Sequence, residues 1–408
     1  MLDISASCCV VGGGPAGMMT GYLLARAGIS VAVLEKHGDF LRDFRGDTIH
    51  PSTLQVMEEL GLYDRLLQKT HYKAYFLKGR FGDLETTFAD FSHLPTRAKF
   101  VAFMPQWDFL SFLAGEAKAY PAFKLFMEAE ATDLVKDGGG TVAGVVAKTA
   151  EGSMQVHAPL VIGCDGRHAV TRKEGGFSVE DIGAPMDVLW FRLSRRDTDP
   201  EDPVGTFGRG HIVIMIDRGD YWQCGYVIAK GSLDRVREQG LPAFRRELES
   251  LAPFLKGRSK EVTSFEDIRL LTVGVDRLKQ WYRPGLLCIG DAAHTMSPVG
   301  GVGINLAIQD AVAAANILAE PLRAGQVTTR DLARVQERRE MPTRRTQWLQ
   351  VQIQNNVIKS VLGKPDQSRP PRLLRLMKWF PLLARTPARV IGLGFRPEHV
   401  NANLYRAR

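Results

Sequence analysis

The chain has little cysteine and no long hydrophobic run. Its five cysteines form no CxxC pair and are odd in number, which predicts a reducing compartment and no metal site. No apolar run approaches the roughly 20 residues that a membrane-spanning helix needs. The first predicted strand begins too close to Met1 to leave room for a signal peptide. We therefore expect a cytoplasmic globular protein.

Positive charge is concentrated at one end of an otherwise ordinary composition. The chain is 408 residues long, with 45% hydrophobic and 24% charged residues, which suggests two or three domains. Residues 321–408 carry a net charge of +13, which leaves −5 for the remainder of the +8 total. Such asymmetry is compatible with a nucleic-acid or membrane contact. Because no nucleic-acid motif accompanies the positive charge, we expect no nucleic-acid partner. The simpler explanation of this charge is a solvated helical face.

A glycine-rich turn lies between a predicted strand and a predicted helix. Ile4 to Val11 is a continuous apolar run, typical of a buried parallel strand. Pro15 to Ala27 has helical periodicity, and Val31 to Leu34 is the next strand, which completes a βαβ unit. The turn residues that match GxGxxG, together with the alanine inside the motif, are Gly12, Gly14, Ala16 and Gly17.

This turn predicts a dinucleotide site. Gly12 permits the tight turn, Gly14 lets the backbone approach a pyrophosphate, and Gly17 lets helix and strand pack closely. Glu35 ends the second strand, 23 residues after Gly12, where a carboxylate can bind ribose hydroxyls. An acid at this position accepts an AMP ribose that carries no 2′-phosphate, which predicts FAD or NAD rather than NADP in this site.

Two further segments far along the chain carry motifs of the same kind. CDGRHAVTR (Cys164 to Arg172) places an Asp-Gly turn directly after a buried strand. GDAAHTMSPVGGVGIN (Gly290 to Asn305) ends in a glycine-rich turn that opens an Ala-rich helix, predicted over Gly303 to Leu318. A helix N-terminus in this position would stabilise an anion.

In order and spacing, the three segments together resemble the aromatic-hydroxylase type of class A flavoprotein monooxygenases, the p-hydroxybenzoate hydroxylase superfamily. The resemblance covers about residues 5 to 345. It implies bound FAD, with NADH or NADPH docking transiently as electron donor. It also implies that O2 adds at the flavin C4a and that the hydroperoxide transfers one oxygen to an aromatic or related electron-rich small molecule. The choice between NADH and NADPH, the substrate and the oligomeric state stay open.

The resemblance also implies the roles of individual residues. Pro298 would lie along the reactive ring, Asp291 would bind the ribityl chain or the neighbouring phosphate, and Arg45 would neutralise the pyrophosphate. Gln106 stands at the position that opens a helix and hydrogen-bonds the cofactor, where many relatives carry arginine instead. The other residues expected at the cofactor are Asp165 on the riboflavin side and the backbone N–H groups of Gly301, Gly303, Ile304 and Asn305.

Asp47 has two alternative interpretations. In some phenol-hydroxylating relatives an aspartate at this offset reaches the substrate beside the ring, where a carboxylate could take the phenol proton. The alternative is an aspartate that caps the helix predicted to start near Pro51.

The order of elements predicts an α/β fold. A Rossmann-like FAD-binding domain (residues 1–72, 105–182 and 274–330) would be interleaved with a mostly β substrate domain (73–104 and 183–273). Within these, Thr53 to Leu67 is predicted as one helix. Residues 331–408 would form a basic helical C-terminal region broken at several prolines, Pro387 among them.

Other functions remain possible at this point. A flavin halogenase would carry a Trp-x-Trp pair, which the chain lacks. A flavin reductase or dehydrogenase, or a quinone-type hydroxylase, could act at a membrane surface. A flavin-binding sensor would need a degraded ring site. The amphipathic basic pattern after Arg372 fits either docking on the substrate domain or contact with an anionic bilayer.

Overall fold

The computed structural model describes residues 2–41, 48–82, 84–200, 204–208, 210–363 and 372–404. Its architecture is mixed α/β. The strands, in chain order, are β1 Leu2–Ser5, β2 Cys8–Val11, β3 Val31–Leu34, β4 Thr48–Ile49, β5 Tyr72–Ala74, β6 Phe76–Phe81, β7 Leu84–Asp90, β8 Val101–Phe103, β9 Phe123–Phe126, β10 Glu130–Lys136, β11 Val142–Thr149, β12 Gly152–His157, β13 Val161–Gly163, β14 Val179–Asp181, β15 Met186–Ser194, β16 Val204–Gly208, β17 His211–Asp217, β18 Tyr221–Ala229, β19 Arg269–Leu271, β20 Asp276–Leu278, β21 Tyr282–Arg283, β22 Leu286–Cys288 and β23 His294–Thr295. The α-helices are α1 Pro15–Arg26, α2 Pro51–Glu59, α3 Tyr63–Leu66, α4 Gln106–Ala117, α5 Val170–Glu174, α6 Leu233–Leu251, α7 Gly303–Arg323, α8 Thr329–Ile353, α9 Lys359–Gly363, α10 Arg372–Trp379 and α11 Arg385–Leu393.

A six-stranded sheet forms the centre of the molecule, in the order β21-β22-β13-β2-β3-β9. The strands from β22 to β9 run parallel, and β21 is antiparallel to β22. Helix α1 packs against α4 and α7. The four inner strands, β22, β13, β2 and β3, are apolar and buried, as expected of parallel strands covered on both faces.

Two sequence predictions near the N-terminus are wrong in detail. The run from Ile4 to Val11 is two strands, because the chain bends after Ser5 and the N–H groups of Ser7 and Cys8 both donate to Ser30 O. Strand β1 joins a separate four-stranded sheet, β1-β12-β11-β10. The helix predicted over Thr53 to Leu67 is divided into α2 and α3, because Gly61 adopts a φ of +74°.

A seven-stranded sheet, β19-β15-β18-β17-β16-β6-β7, forms the second large layer. Its neighbours are antiparallel except β16 and β6. Helix α6, Leu233–Leu251, covers one face of the sheet. Trp222, Cys224 and Tyr226 of β18 belong to the core under α6. On the opposite face, Val227 packs in a cluster that includes Val299 of the second glycine-rich turn. The face of β18 that carries Val227 therefore points toward the second glycine-rich turn.

The C-terminal helices return across both sheets. Helix α8 packs against α7 and continues through a π-helical turn, Gln354–Ile358, into α9. Helices α10 and α11 pack against β7. The break predicted at Pro387 is wrong, because this proline lies in the first turn of α11, where a missing N–H is tolerated.

One helical stretch, Val299–Arg323, is long and apolar enough to cross a membrane by length and composition. The prediction that no run approaches that length therefore needs correction. Of its most apolar window, 78% is buried inside the fold. Helix α7 is accordingly a core helix in this structure.

Candidate functional site

The motif segments leave the central sheet at one edge. In the parallel register Val11 lies beside both Leu34 and Gly163, and Gly163 lies beside Cys288. The carboxyl ends of β2, β3, β13 and β22 therefore meet. The glycine turn, Glu35, the Asp-Gly turn and the loop of Asp291 follow directly from these strand ends. Ligands of open parallel sheets bind in the crevice at this edge.

The first glycine turn is closely packed on one side and open on the other. Gly12 has a φ of +103°, and a Cβ there would lie 2.5 Å from Cys164 O. A Cβ on Gly17 would lie 1.8 Å from Gly12 O, so only glycine lets α1 approach β2 this closely. At Gly14, by contrast, a Cβ would meet nothing within 4 Å. Gly14 is also the N-cap of α1, and no side chain caps the helix.

Glu35 is buried behind this turn. Its Oε2 accepts a hydrogen bond from Gly13 N (2.9 Å), and its Oε1 accepts one from His37 N (3.0 Å). These two backbone donors fix the carboxylate against the turn at Gly13. Each carboxylate oxygen can accept more than one hydrogen bond, so this orientation is compatible with additional hydroxyl donors.

The Asp-Gly segment is held in place from within the protein. Asp165 accepts hydrogen bonds from Thr171 N (3.0 Å) and Thr171 Oγ1 (2.6 Å). Burial raises the pKa of Asp165 above its usual value, and the Thr171 bonds oppose this shift. Arg172 donates through Nε to Ala292 O and pairs with Asp276 at 2.7 Å. Arg172 therefore ties this segment to the Asp291 loop.

The Asp291 loop touches the first glycine turn. Gly290 has a φ of +58°, and a Cβ there would lie 3.0 Å from the Cβ of Ala16. Ala16 is itself buried at the start of α1, so its short side chain permits this contact. Asp291 is exposed at the same edge.

The second glycine-rich turn opens α7. Pro298 is partly exposed, and the 3₁₀ turn Val299–Gly301 follows it. The N–H of Gly301 already donates to Pro298 O (3.0 Å), so this predicted donor is used within the turn. The first bond of the helix runs from Leu306 N to Val302 O (2.9 Å), and no side chain caps the helix. The N–H groups of Gly303, Ile304 and Asn305 are therefore first-turn donors.

The side chain of Asn305 has a different use from its backbone. Its Oδ1 accepts hydrogen bonds from His50 N (2.8 Å) and Thr53 Oγ1 (2.7 Å). Its Nδ2 donates to Thr48 O (3.1 Å) and Gly301 O (3.3 Å). The side chain thus fixes β4, α2 and the turn to one another.

A buried network of charges behind the turn was missed by sequence reasoning. Asp310 of α7 accepts hydrogen bonds from His294 Nε2 (2.6 Å), Gly290 N (3.1 Å) and Arg339 Nε (2.9 Å). Arg339 of α8 also pairs with Glu398 near the C-terminus (3.2 Å). Burial opposes ionisation of Asp310, but the His294 and Arg339 contacts outweigh it and lower the pKa of Asp310. The signal for this network was a single acid in the middle of an apolar helix.

Four other residues of interest, Gln106, Arg45, Asp47 and His50, have different outcomes. Gln106 is partly buried at the first position of α4, three residues after β8. Arg45 and Asp47 lie outside the described residues. His50 is buried, its Nδ1 lies 2.7 Å from Ile391 O, and burial lowers its pKa to about 4. His50 is thus a neutral packing residue that contacts α11.

Comparison with known proteins agrees with this geometry. The model of the FAD binding domain family matches residues 5–348. The 6-methylpretetramide 4-monooxygenase of Streptomyces rimosus is 30% identical over 97% of this chain and 94% of its own length. The rifampicin monooxygenase of Rhodococcus hoagii is 26% identical over 74% of this chain, and the match spans only 61% of that relative.

A solved structure gives the same architecture. PqsL, a probable FAD-dependent monooxygenase from Pseudomonas aeruginosa, superposes with a TM-score of 0.75. The match covers 88% of this chain and 98% of the other, at 19% identity, and so shows the fold alone. The family model covers most of the chain, and the 30% identical relative is matched over nearly its full length. The chain therefore belongs to the FAD binding domain family, as an enzyme of the class A flavoprotein monooxygenases.

Proposed function

We propose that the protein is an FAD-dependent monooxygenase that uses NADH or NADPH and O2 to hydroxylate an aromatic or related electron-rich small molecule. The observation that carries this proposal is the convergence at one sheet edge of the glycine turn, Glu35, the Asp-Gly turn and the Asp291 loop. The family and its monooxygenase relatives favour this activity over a reductase acting at a membrane.

The residues at this edge fit the parts of FAD. The open side of Gly14 and the uncapped start of α1 suit the pyrophosphate. The fixed carboxylate of Glu35 suits the ribose hydroxyls, and Asp291 suits the ribityl chain. The first-turn N–H groups of α7, from Gly303 to Asn305, suit the pyrimidine edge of the ring, because a helix N-terminus favours the negative charge of reduced flavin.

When bound, FAD supplies hydride acceptance from the nicotinamide and activation of O2. The protein's own contribution is orientation and exclusion of water. Pro298 and Val299 precede the helix, and Val299 packs with Val227 and Ile212 of the seven-stranded sheet. We place the substrate between this sheet face and the turn, where apolar side chains would keep water out.

The composition of the same sheets supports a proposed domain division. We propose residues 1–72, 105–182 and 274–330 as the FAD-binding domain, 73–104 and 183–273 as the substrate domain, and 331–408 as the C-terminal region. Strands β2, β13 and β22 of the central sheet come from the three stretches of the first set. The seven-stranded sheet draws all its strands from the second set. Five unpaired cysteines support a cytoplasmic location.

Flavin release and substrate-stimulated turnover test the proposed function. We expect the purified protein to be yellow and to release FAD rather than FMN. A panel of phenols, pyridines, quinones and fused-ring phenolics should contain a compound that accelerates NAD(P)H oxidation and O2 consumption together. Its product should gain one oxygen by mass. Fused rings belong in the panel because the 30% identical relative is a 6-methylpretetramide monooxygenase. Colourless protein that FAD cannot reconstitute would reject the assignment.

Arg45→Ala should weaken FAD binding. An arginine beside a pyrophosphate contributes charge-assisted hydrogen bonds, so its loss should cost about 1–3 kcal/mol. Fluorescence titration of the apoprotein with FAD measures the change. Arg65→Ala is a matched control, because the exposed pair of Arg65 with Glu116 lies on α3 and α4. Unchanged FAD affinity in Arg45→Ala would show that Arg45 is misassigned.

Asp47→Asn should keep FAD and slow hydroxylation more than flavin reduction. We propose Asp47 as the base that takes the substrate proton. Thr48, the first described residue after Asp47, donates a hydrogen bond to Gly301 O (2.7 Å) in the second glycine-rich turn. The N-cap of α2 is His50, so the alternative that Asp47 caps this helix is wrong. If Asp47 only makes hydrogen bonds that asparagine can also make, activity and stability should both survive the substitution. Rapid-mixing kinetics that follow reduction and hydroxylation separately distinguish the two outcomes.

A further inference from the structure

The C-terminal helices expose an unusual group of large apolar side chains. The exposed fractions are 45% for Leu376, 79% for Trp379, 59% for Phe380, 66% for Leu382 and 37% for Leu383. These five residues, which we term the apolar patch, lie within eight consecutive positions. Exposed apolar residues are ordinary when scattered, but a contiguous group marks a contact surface.

Docking of the segment on the body does not account for the patch. The side chains that hold the segment are Met377, Ala384 and Ala388, which are 6%, 1% and 0% exposed. Ala388 packs with Phe91 and Leu94 after β7. The apolar patch consists of the residues that this docking leaves outside. The segment therefore has one face against the seven-stranded sheet and a second apolar face toward the surroundings.

Positive charge surrounds the apolar patch. Residues 372–404 contain six arginines and lysines and one acid, Glu398. Lys378 and Arg389 are exposed, and Arg385 lies 3.8 Å from Asp90 across the edge of the sheet. Glu398 is buried and paired with Arg338 and Arg339. The exposed charge of the segment is therefore positive.

Charge complementarity selects the partner. A second copy of this chain that used the same face in a two-fold contact would bring the same basic residues together. An anionic lipid surface instead attracts the basic residues and accepts tryptophan, phenylalanine and leucine at the headgroup boundary. We infer that the apolar patch and its basic flanks bind an anionic membrane surface reversibly, which keeps the enzyme at the bilayer without a spanning segment.

Vesicle flotation of the FAD-loaded enzyme tests this inference. We expect binding to vesicles of phosphatidylcholine and phosphatidylglycerol at low salt, at least tenfold weaker binding at moderate salt, and none to pure phosphatidylcholine. Trp379→Ser with Phe380→Ser should reduce binding at least tenfold. The matched control is Trp348→Ser, because Trp348 is 63% exposed on α8, away from the apolar patch. This control should bind as the unmodified chain does.

Brominated acyl chains give a second readout that does not depend on activity or on the amount bound at saturation. Vesicles with brominated acyl chains should quench part of the tryptophan fluorescence of the bound enzyme. This quenching should be lost in Trp379→Phe and kept in Trp348→Phe. The inference would be overturned if the Trp379→Ser/Phe380→Ser variant floated with anionic vesicles as well as the unmodified enzyme does. It would also be overturned if the unmodified enzyme did not bind anionic vesicles at low salt. A concentration-dependent dimer that Trp379→Ser dissociates would overturn it in favour of a second copy.

Discussion

Replacing Gly17 with alanine should cost the protein both its fold and its FAD. The added Cβ would lie 1.8 Å from the carbonyl oxygen of Gly12 and 3.3 Å from the Cβ of Cys164. The first of these is a backbone atom that cannot rotate away, so α1 would have to move off β2. Overpacking of a close-packed core usually costs about 1–3 kcal/mol, and a backbone clash this deep should reach or exceed the upper end.

Gly14→Ala is the matched control for Gly17→Ala. Among the described residues, a Cβ at Gly14 would meet no atom within 4 Å, and the φ of −73° at Gly14 suits alanine. We therefore expect the apoprotein of Gly14→Ala to unfold at the denaturant concentration of the unmodified apoprotein. If pyrophosphate approaches Gly14, FAD affinity should nevertheless fall at least tenfold. Comparing apoproteins is necessary, because bound FAD itself stabilises the folded state.

The contrast between the two alanine variants also tests the assignment of the site. Normal FAD affinity in Gly14→Ala would show that the pyrophosphate does not pass this glycine. A stable Gly17→Ala apoprotein would show that α1 and β2 are not held together by this close approach.

The parts of the site that the sequence predicted are those with local signals. Gly12, Gly14 and Gly17 lie in one turn, and Glu35 ends the next strand, so their relation follows from a single βαβ unit. Asp165 and Asp291 each follow a buried strand. Because parallel strands end at one edge, the sequence also predicts that these residues meet.

The errors arose where the hydrophobic pattern carried no information about pairing. The run from Ile4 to Val11 contains no glycine, proline or charged residue that would mark a break, but its first half pairs with β12 and its second half with β13 and β3. Only the partner strands, more than 100 residues away along the chain for β12 and β13, separate the two halves. Periodicity within the run could not reveal this division.

The buried charge network was unpredictable for a related reason. Asp310, Arg339 and Glu398 lie in separate segments of the chain. Asp310 stands out as an acid within an apolar helix, but Arg339 and Glu398 look like ordinary charged residues in their own segments, so the sequence does not show what pairs with Asp310. Their pairing depends on how α8 and the C-terminal residues cross α7. Burial excludes water, so the network can persist only with each charge matched.

Arg339→Met should give the second large effect. Arg339 and Asp310 are 1% and 0% exposed, and breaking a buried pair leaves a charge without compensation, at a cost of about 3–5 kcal/mol. We expect a loss of stability near the lower end of this range, because other contacts remain in the variant. Asp310 keeps its hydrogen bonds from His294 and Gly290, and Glu398 keeps its ion pair with Arg338. FAD retention should fall as well, since Gly290 opens the Asp291 loop. Urea unfolding and FAD titration measure both effects.

The loss of stability in Arg339→Met should depend on pH, whereas the loss caused by a simple packing defect would not. The pKa of Asp310 is lowered in the folded protein, so its ionised form stabilises the fold above the usual aspartate value of about 4 and this contribution disappears in acid. Without Arg339, only His294 opposes the effect of burial on Asp310. The pKa of Asp310 should therefore be higher in the variant than in the unmodified chain, and protonation in acid would cost the variant less stability. The difference in the free energy of unfolding between the unmodified chain and Arg339→Met should therefore be largest near neutral pH and become smaller as the pH falls.

Arg344→Met provides the control on the same helix. Arg344 is more than half exposed and pairs with Glu340 one turn away, a contact that contributes about 0.3–0.5 kcal/mol. Its loss should change neither FAD retention nor the pH profile. A pH-independent destabilisation in Arg339→Met equal to that in Arg344→Met would mean that the charge of Arg339 does not hold Asp310. The network would then not position the Asp291 loop.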